Sequence, residues 1–208
     1  MHITLTEPEA FSALITQHTG QEPTSPITGI ATDSRECDSG DLYVALKGEK
    51  ADGHQFIPQA QENGAVASLV EHEILASNGM DFFVVEDVLE TMGSLACAWR
   101  RQFDIPVIGI TGSNGKTTTK ELLKHIFADK EHVHATTGNY NTSVGLPLTL
   151  LQLATEHTVS IIEMGANQPG DIAYLCDIAE PTHGLITNIA PAHLEGFGSI
   201  EEVARTKG

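Results

Sequence analysis

Residues 105–127, IPVIGITGSNGKTTTKELLKHIF, decide the fold. Residues 105–110 are apolar at almost every position, the pattern of a strand buried on both faces of a parallel sheet. The run breaks at Gly112. A helical pattern starts at Lys116, with Leu122, Leu123, Ile126 and Phe127 on one face. Between strand and helix stand Gly112, Ser113, Asn114, Gly115, Lys116, Thr117 and Thr118. This is a phosphate-binding loop in composition but not in spacing. In the common G-x-x-x-x-G-K-[ST] loop the first glycine would fall at position 110, which here is Ile110; the loop's first glycine is Gly112, two residues later. The shorter loop still holds what a phosphate cradle needs. Its glycines let backbone N–H groups turn inward, Lys116 suits β/γ-phosphates, and Thr117 offers a hydroxyl to Mg²⁺. The dipole at the start of the helix favours the anion further.

The same strand–loop–helix alternation continues downstream. TVSIIEMG (158–165) and GLITNIA (184–190) read as two more buried strands, and DIAYLCDIA (171–179) as a helix closed by Pro181. This predicts an open, doubly wound, mostly parallel α/β domain. Upstream, GDLYVALKG (40–48), VASLVE (66–71) and DFFVVED (81–87) read as strands and FIPQAQENGA (56–65) as a short helix. That makes a smaller α/β unit. LETMGSLACAWRRQF (89–103) is helical, with Leu89, Met92, Leu95, Ala96 and Trp99 on one face. The junction is placed near residues 84–88, giving domains 1–84 and 85–208. There is no internal repeat or low-complexity tract.

With 28 acidic and 11 basic residues the formal net charge is −17, a field that repels nucleic acid and anionic lipid. It does not exclude an anionic substrate, which helix N-termini and a few placed cations can hold locally. Cys37, Cys97 and Cys176 lack metal-ligand spacing and read as reduced, buried thiols. No apolar run reaches the ~20 residues of a membrane span, and the N-terminus MHITLTEPEAF lacks the features of a signal peptide. A cytoplasmic protein is expected.

In doubly wound sheets ligands bind outside the carboxyl ends of the strands. The predicted strands end on Lys116 with Thr117, on Glu163, and on Asn188 followed by His193. A lysine, hydroxyls, a carboxylate and a histidine suit phosphoryl transfer with bound magnesium. Glu163 closes an apolar strand, where a carboxylate is costly unless paired, hydrogen-bonded or on a metal; Mg²⁺ and a structural salt bridge both satisfy that. His193 gains weight only from its place after the third strand. Asn139 and Asn141, before a Gly-Leu-Pro helix start, either orient a substrate or cap and turn the chain.

TGSNGKTT, TTGNYNTSVGLPLTLL, EMGANQPGDIAYL and NIAPAHLEGFGSIEEVARTKG resemble, in order and spacing, the central ATPase domain of the Mur ligases. The short phosphate loop is the one that family uses. TDSRECDSGDLYVALKGEKADGHQF (32–56) resembles its N-terminal UDP-sugar-binding domain. EMGAN and AHLEGFGS are most similar to the D-alanyl-D-alanine-adding branch. The resemblance implies a monomeric amide ligase of peptidoglycan synthesis that uses ATP and Mg²⁺. ATP would phosphorylate the terminal carboxylate of UDP-N-acetylmuramoyl-tripeptide, and the amine of D-alanyl-D-alanine would attack the acyl phosphate. By the same resemblance Gly112–Thr118 bind ATP and Lys116 meets its β/γ-phosphates. Thr117 and Glu163 would hold one Mg²⁺, and His193 would help hold a second. Lys207 aligns with a lysine that is carbamylated by CO₂, or else is a solvated helix lysine. Ser34, Arg35, Lys47, Gly48 and His54 are the candidates for the UDP-sugar; Asp33-Ser34-Arg35 reads equally as a structural turn with an internal ion pair.

Family chains are about twice this length, and Lys207 is followed here by a single residue. The sequence therefore reads as part of such a ligase, unable to complete the reaction alone. Two other readings stay open. One is a different superfamily member, adding diaminopimelate or lysine or acting on folates. The other is a non-catalytic sugar-nucleotide-binding module.

Overall fold

The computed structural model describes residues 1–48, 51–74, 79–191 and 194–208, without the side chains of Leu194 and Glu195. The chain forms two compact units, Met1–Trp99 and Arg100–Gly208.

The first unit holds β1 (His2–Thr4), α1 (Pro8–Thr19), β2 (Gly29–Ala31), β3 (Asp41–Val44), α2 (Ile57–Glu62), β4 (Ala67–Val70), β5 (Asp81–Val84) and almost all of α3 (Val88–Arg100). Its five strands lie in the order β1-β2-β3-β4-β5, parallel except for β1 on β2. β3 and β4 are buried at every position, as central strands of a two-sided sheet should be. Tyr43 and Ala45 join Ile57 and Ala60 of α2 in one apolar layer. The Tyr43 hydroxyl donates to Gly53 O at 3.0 Å, and burial pushes it up to about 12. α3 buries Val88, Met92, Leu95, Ala96 and Trp99. It goes with the first unit, whereas the sequence placed the junction at 84–88.

The second unit runs β6 (Val107–Thr111), α4 (Lys116–Phe127), β7 (Val133–Ala135), α5 (Gly145–Leu150), β8 (Val159–Glu163), α6 (Asp171–Ala179), β9 (His183–Ile186), α7 (Leu194–Phe197) and α8 (Ile200–Lys207). Its four strands are all parallel, in the order β7-β8-β6-β9. The connection leaving β6 runs to β7 on one side of the β6–β8 pair; that leaving β8 runs to β9 on the other. The loops after β6 and β8 therefore diverge at adjacent strand ends, the usual position of a ligand crevice. Register sets those ends level: Ile110 is opposite Glu163, and Met164 N–H donates to Ile110 O at 2.8 Å.

Three local expectations change. The inward face of α4 is Lys116, Thr119, Lys120, Leu123 and Phe127, while Leu122 and Ile126 are 59% and 66% exposed. The helix is phased to turn Lys116 and Lys120 inward and Leu122 and Ile126 outward. The third strand also stops at Ile186; Thr187–Ala190 leave the sheet because their polar groups bond the phosphate loop instead. None of the three cysteines forms a disulfide, and only Cys37 is fully buried.

Candidate functional site

Gly112 follows β6 with φ +140°, and Gly115 caps α4 from the left-handed region at φ +81°. A Cβ on Gly112 would collide with Thr187 Oγ1 and press on the backbone nitrogens of Thr187 and Asn188 at 3.1 and 3.2 Å. Glycine is required there by close approach as well as by backbone angle. The loop is strapped to the segment after β9. Ser113 N–H donates to Asn188 O at 3.0 Å, and Asn114 N–H to Asn188 Oδ1 at 3.0 Å. Ser113 Oγ donates to Ala190 O at 2.8 Å and accepts from Ala190 N–H at 3.0 Å, and Thr187 Oγ1 donates to Asn114 O at 2.5 Å. These partners hold the loop in one shape. No side chain caps α4, so the N–H groups of its exposed first turn, at Thr117 and Thr118, face solvent with the positive end of the helix dipole. Lys116 Nζ donates to Gly112 O at 2.9 Å, folded over the same loop.

Glu163 is 3% exposed, at the end of β8. Its Oε2 accepts from Thr117 Oγ1 at 3.0 Å and its Oε1 from Asn141 Nδ2 at 2.7 Å. Its N–H donates to Thr136 Oγ1 at 2.9 Å. Asn141 is further fixed by its backbone oxygen, which accepts from Gly165 N–H at 2.7 Å. Asn141 thus bonds a protein carboxylate, which neither reading of the asparagines foresaw; Asn139 is exposed and contributes a backbone oxygen to Asn141 N–H at 2.8 Å. Glu163 has no salt-bridge partner among the described residues. A buried carboxylate beside a hydroxyl at a helix N-terminus fits Mg²⁺ by donor chemistry: both are hard oxygen ligands, and one ion can reach both. No group of three or more His, Cys, Asp or Glu that could hold a metal by itself occurs among the described residues. His193 lies outside them.

Gly112, Ser113, Lys116, Asn141, Thr142, Gly165, Ala166, Asn167 and Lys207 line one cleft of ≈ 220 Å³. Lys207, at the end of α8, is 5% exposed, with its ammonium 5.8 Å from the centre of the Phe197 ring. It is not a solvated helix lysine. Burial, and then the positive charge of Lys116, push its pKa below the usual lysine range, while Asp171 pulls the other way. Sequence reasoning missed Thr136, Asn167 and Lys120, and it noted Asn188 after the third strand without giving it a role.

In the first unit, Ser34 Oγ donates to Gln59 Oε1 at 2.7 Å, and Asn63 Nδ2 to Ser34 O at 2.8 Å. Arg35 makes a two-pronged pair with Asp33, Nε to Oδ1 at 2.9 Å and a terminal nitrogen to Oδ2 at 2.5 Å. That bond holds the Asp33 carboxyl at about 2. This is the internal ion pair weighed from the sequence. Lys47 and Gly48 are exposed beside a short bridge between Lys47 and Asp52, with Gly48 N–H donating to Ala51 O at 2.9 Å. His54 Nε2 accepts from Glu71 N–H at 2.9 Å, so Nδ1 carries the proton it gives to Asp52 Oδ1 at 2.6 Å. Its ring stacks on His72 at 4.4 Å.

Known proteins match along most of the chain. The profile of the Mur ligase middle domain matches residues 110–208, and that of the Mur ligase family catalytic domain residues 26–100. A UDP-N-acetylmuramoyl-tripeptide–D-alanyl-D-alanine ligase from Synechocystis is 46% identical over 182 residues, covering 87% of this chain and 40% of the relative. One from Haemophilus influenzae is 45% identical over 183 residues, 86% of this chain and 40% of the relative. Among solved structures, MurF from Acinetobacter baumannii superposes with a TM-score of 0.88 at 39% identity, over 94% of this chain and 44% of that one. The MurF ligase of Thermotoga maritima, in complex with ADP, gives 0.77 at 42% identity, over 86% and 41%. The chain thus spans about 40% of the length of the curated relatives it matches. No helix among its described residues is long and apolar enough to cross a membrane. With both units matched and the short phosphate loop of the family in place, the chain belongs to the Mur ligase family.

Proposed function

We propose that this chain carries the sugar-nucleotide and ATP-phosphate sites of a cytoplasmic, monomeric ligase that adds D-alanyl-D-alanine to UDP-N-acetylmuramoyl-tripeptide. The observation that carries the reading is the junction of Thr117, Glu163 and Asn141 at the mouth of the glycine loop. Joining a carboxylate to an amine at the expense of ATP brings two anions together, the carboxylate and the γ-phosphate, so positive charge must be fixed where they meet. Here the α4 N-terminus and the loop N–H groups hold the phosphates. Lys116 swings from Gly112 O to neutralise them. Thr117 and Glu163 hold Mg²⁺, and Asn141 keeps the Glu163 carboxylate aimed at it. Magnesium supplies charge neutralisation on the transferred group. Carbamylation would turn Lys207 from a cation facing Lys116 into an anion suited to a cation site. The first unit takes the UDP-sugar, with Ser34, Arg35, Lys47, Gly48 and His54 as its candidate contacts.

The test is a calorimetric titration with UDP-N-acetylmuramoyl-tripeptide, using the dipeptide form as control, alongside Mg·ATP titration of the wild type and Lys116→Ala. Tighter binding of the tripeptide form and Lys116-dependent binding of Mg·ATP are expected. A folded chain that binds neither ligand refutes the proposal.

A further inference from the structure

Lys120 is a buried charge that the phosphate loop does not account for. It lies one helical turn after Lys116 on the inward face of α4 and is 2% exposed. Burying an ammonium is strongly unfavourable unless it is paired and hydrogen-bonded. Its Nζ donates to Thr136 O at 2.6 Å and pairs with Glu121 at 2.9 Å. Glu121 is 57% exposed in its side chain, so the pair leans into solvent on one side and into the site on the other.

Thr136 is the residue at which the chain leaves β7, and every polar group it has is used. Its N–H donates to Ile161 O at 3.1 Å, its carbonyl takes the Lys120 ammonium, and its hydroxyl accepts from Glu163 N–H at 2.9 Å. Five residues later the same segment delivers Asn141 to the Glu163 carboxylate. Helix α4 therefore meets the Glu163 cluster twice, through Thr117 on the carboxylate and through Lys120 on the segment that supports it. We propose that Lys120 is a positioning residue for the cation site. By holding Thr136 O it fixes the main chain at Glu163 and the start of the loop bearing Asn141, and so sets where the carboxylate points. This rests on the reading of Thr117 and Glu163 as magnesium ligands. A charge-assisted hydrogen bond inside the fold is stronger than a neutral one, which suits a lysine rather than an apolar residue to the task.

The test uses ADP as probe, titrated calorimetrically into the chain with Mg²⁺ and with a chelator. The ratio of the two affinities reports the cation site separately from the phosphate loop. For Lys120→Met the affinity in chelator stays within about twofold of wild type, while the magnesium enhancement falls by about tenfold, the loss expected for one charge-assisted bond. Lys120→Gln keeps a donor for Thr136 O and recovers part of the enhancement. Thr136→Val removes the hydroxyl under Glu163 and lowers the enhancement on its own, which carries the test if Lys120→Met does not fold. The double variant loses no more than the worse single one, because both act through one path. An unchanged magnesium enhancement in folded Lys120→Met overturns the proposal. So does an equal loss with and without magnesium, which is the mark of general destabilisation. If ADP binding by the wild type is absent or insensitive to Lys116→Ala, the nucleotide reading itself fails and the role of Lys120 falls with it.

Discussion

His134 makes the second unit sensitive to acid in a way that can be measured. It sits on β7, 5% exposed, with its Nε2 2.9 Å from Thr149 O and its Nδ1 2.8 Å from Ser160 Oγ. A carbonyl only accepts, so Nε2 carries the proton and Nδ1 accepts from the serine hydroxyl. The ring is neutral and fully partnered. Burial, and then the nearby His157 ring at 5.1 Å, lower its pKa from 6.5 to about 4. The folded chain thus holds this proton less tightly than the unfolded chain. Stability from the neutral ring is complete above pH 6.5 and is lost as pH falls towards 4. Over that whole window the loss comes to about 3 kcal/mol at ~1.4 kcal/mol per pH unit, and about 2 kcal/mol of it appears between pH 7.5 and pH 5. His134→Gln offers an amide that can donate to Thr149 and accept from Ser160 without titrating. Urea unfolding of both proteins at the two pH values cancels the other histidines. Wild type should lose about 2 kcal/mol more than the variant on acidification. Equal losses would refute the reasoning, because they would mean His134 titrates alike in both states.

Three further outcomes follow from the geometry. Gly112→Ala forces a side chain into Thr187 and into a backbone angle alanine disfavours, so it should cost about 2–4 kcal/mol by denaturant unfolding and abolish ADP binding. Asp33→Asn breaks the pair with Arg35, whose side chain is 76% exposed; solvent screening limits the cost to about 1 kcal/mol at pH 7, and the difference should vanish as pH falls from 3.8 through about 2, where the wild-type carboxylate also protonates. Bicarbonate should tighten Mg·ADP binding by the wild type and leave Lys207→Arg unchanged; the same response in both would remove carbamylation from the account.

What could be read in advance was what local sequence determines. The apolar run before Gly112 and the glycine–lysine junction after it fixed β6, the loop and the start of α4, because burial on two faces and positive backbone angles each demand particular residue types nearby. β7 escaped notice because three residues with one buried histidine carry no period. Residues 187–190 read as strand because they continue the run from Leu185 and Ile186, yet what decides their course is a set of hydrogen bonds to Ser113 and Asn114, more than 70 residues away. Glu163 was visible as a carboxylate at a strand end, but its alignment depends on Asn141 and Thr136, and pairing across loops has no local signature. Lys120 looked like any helix lysine, since burial on a mixed face follows from the phase of α4, which tertiary contacts set.

The net charge and the site point in opposite directions, and the distances explain why both statements hold. A chain carrying −17 repels polyanions at long range. That field is screened over about 8–10 Å at ordinary ionic strength. Inside that radius, Lys116 and Lys207 line one cleft, and Lys120 lies a turn behind Lys116. Three of the chain's 11 basic residues are thus gathered around one loop, two of them almost fully buried. Cations packed this way cost free energy in the absence of an anion, and the lowered pKa of Lys207, driven by burial and by Lys116, is the trace of that cost. A phosphate at the α4 N-terminus, or a carbamate on Lys207 itself, would relieve it. The acidic remainder of the surface opposes polyanions at long range, so a small anion held in this cleft would draw its affinity from short-range geometry rather than from the sign of the whole chain.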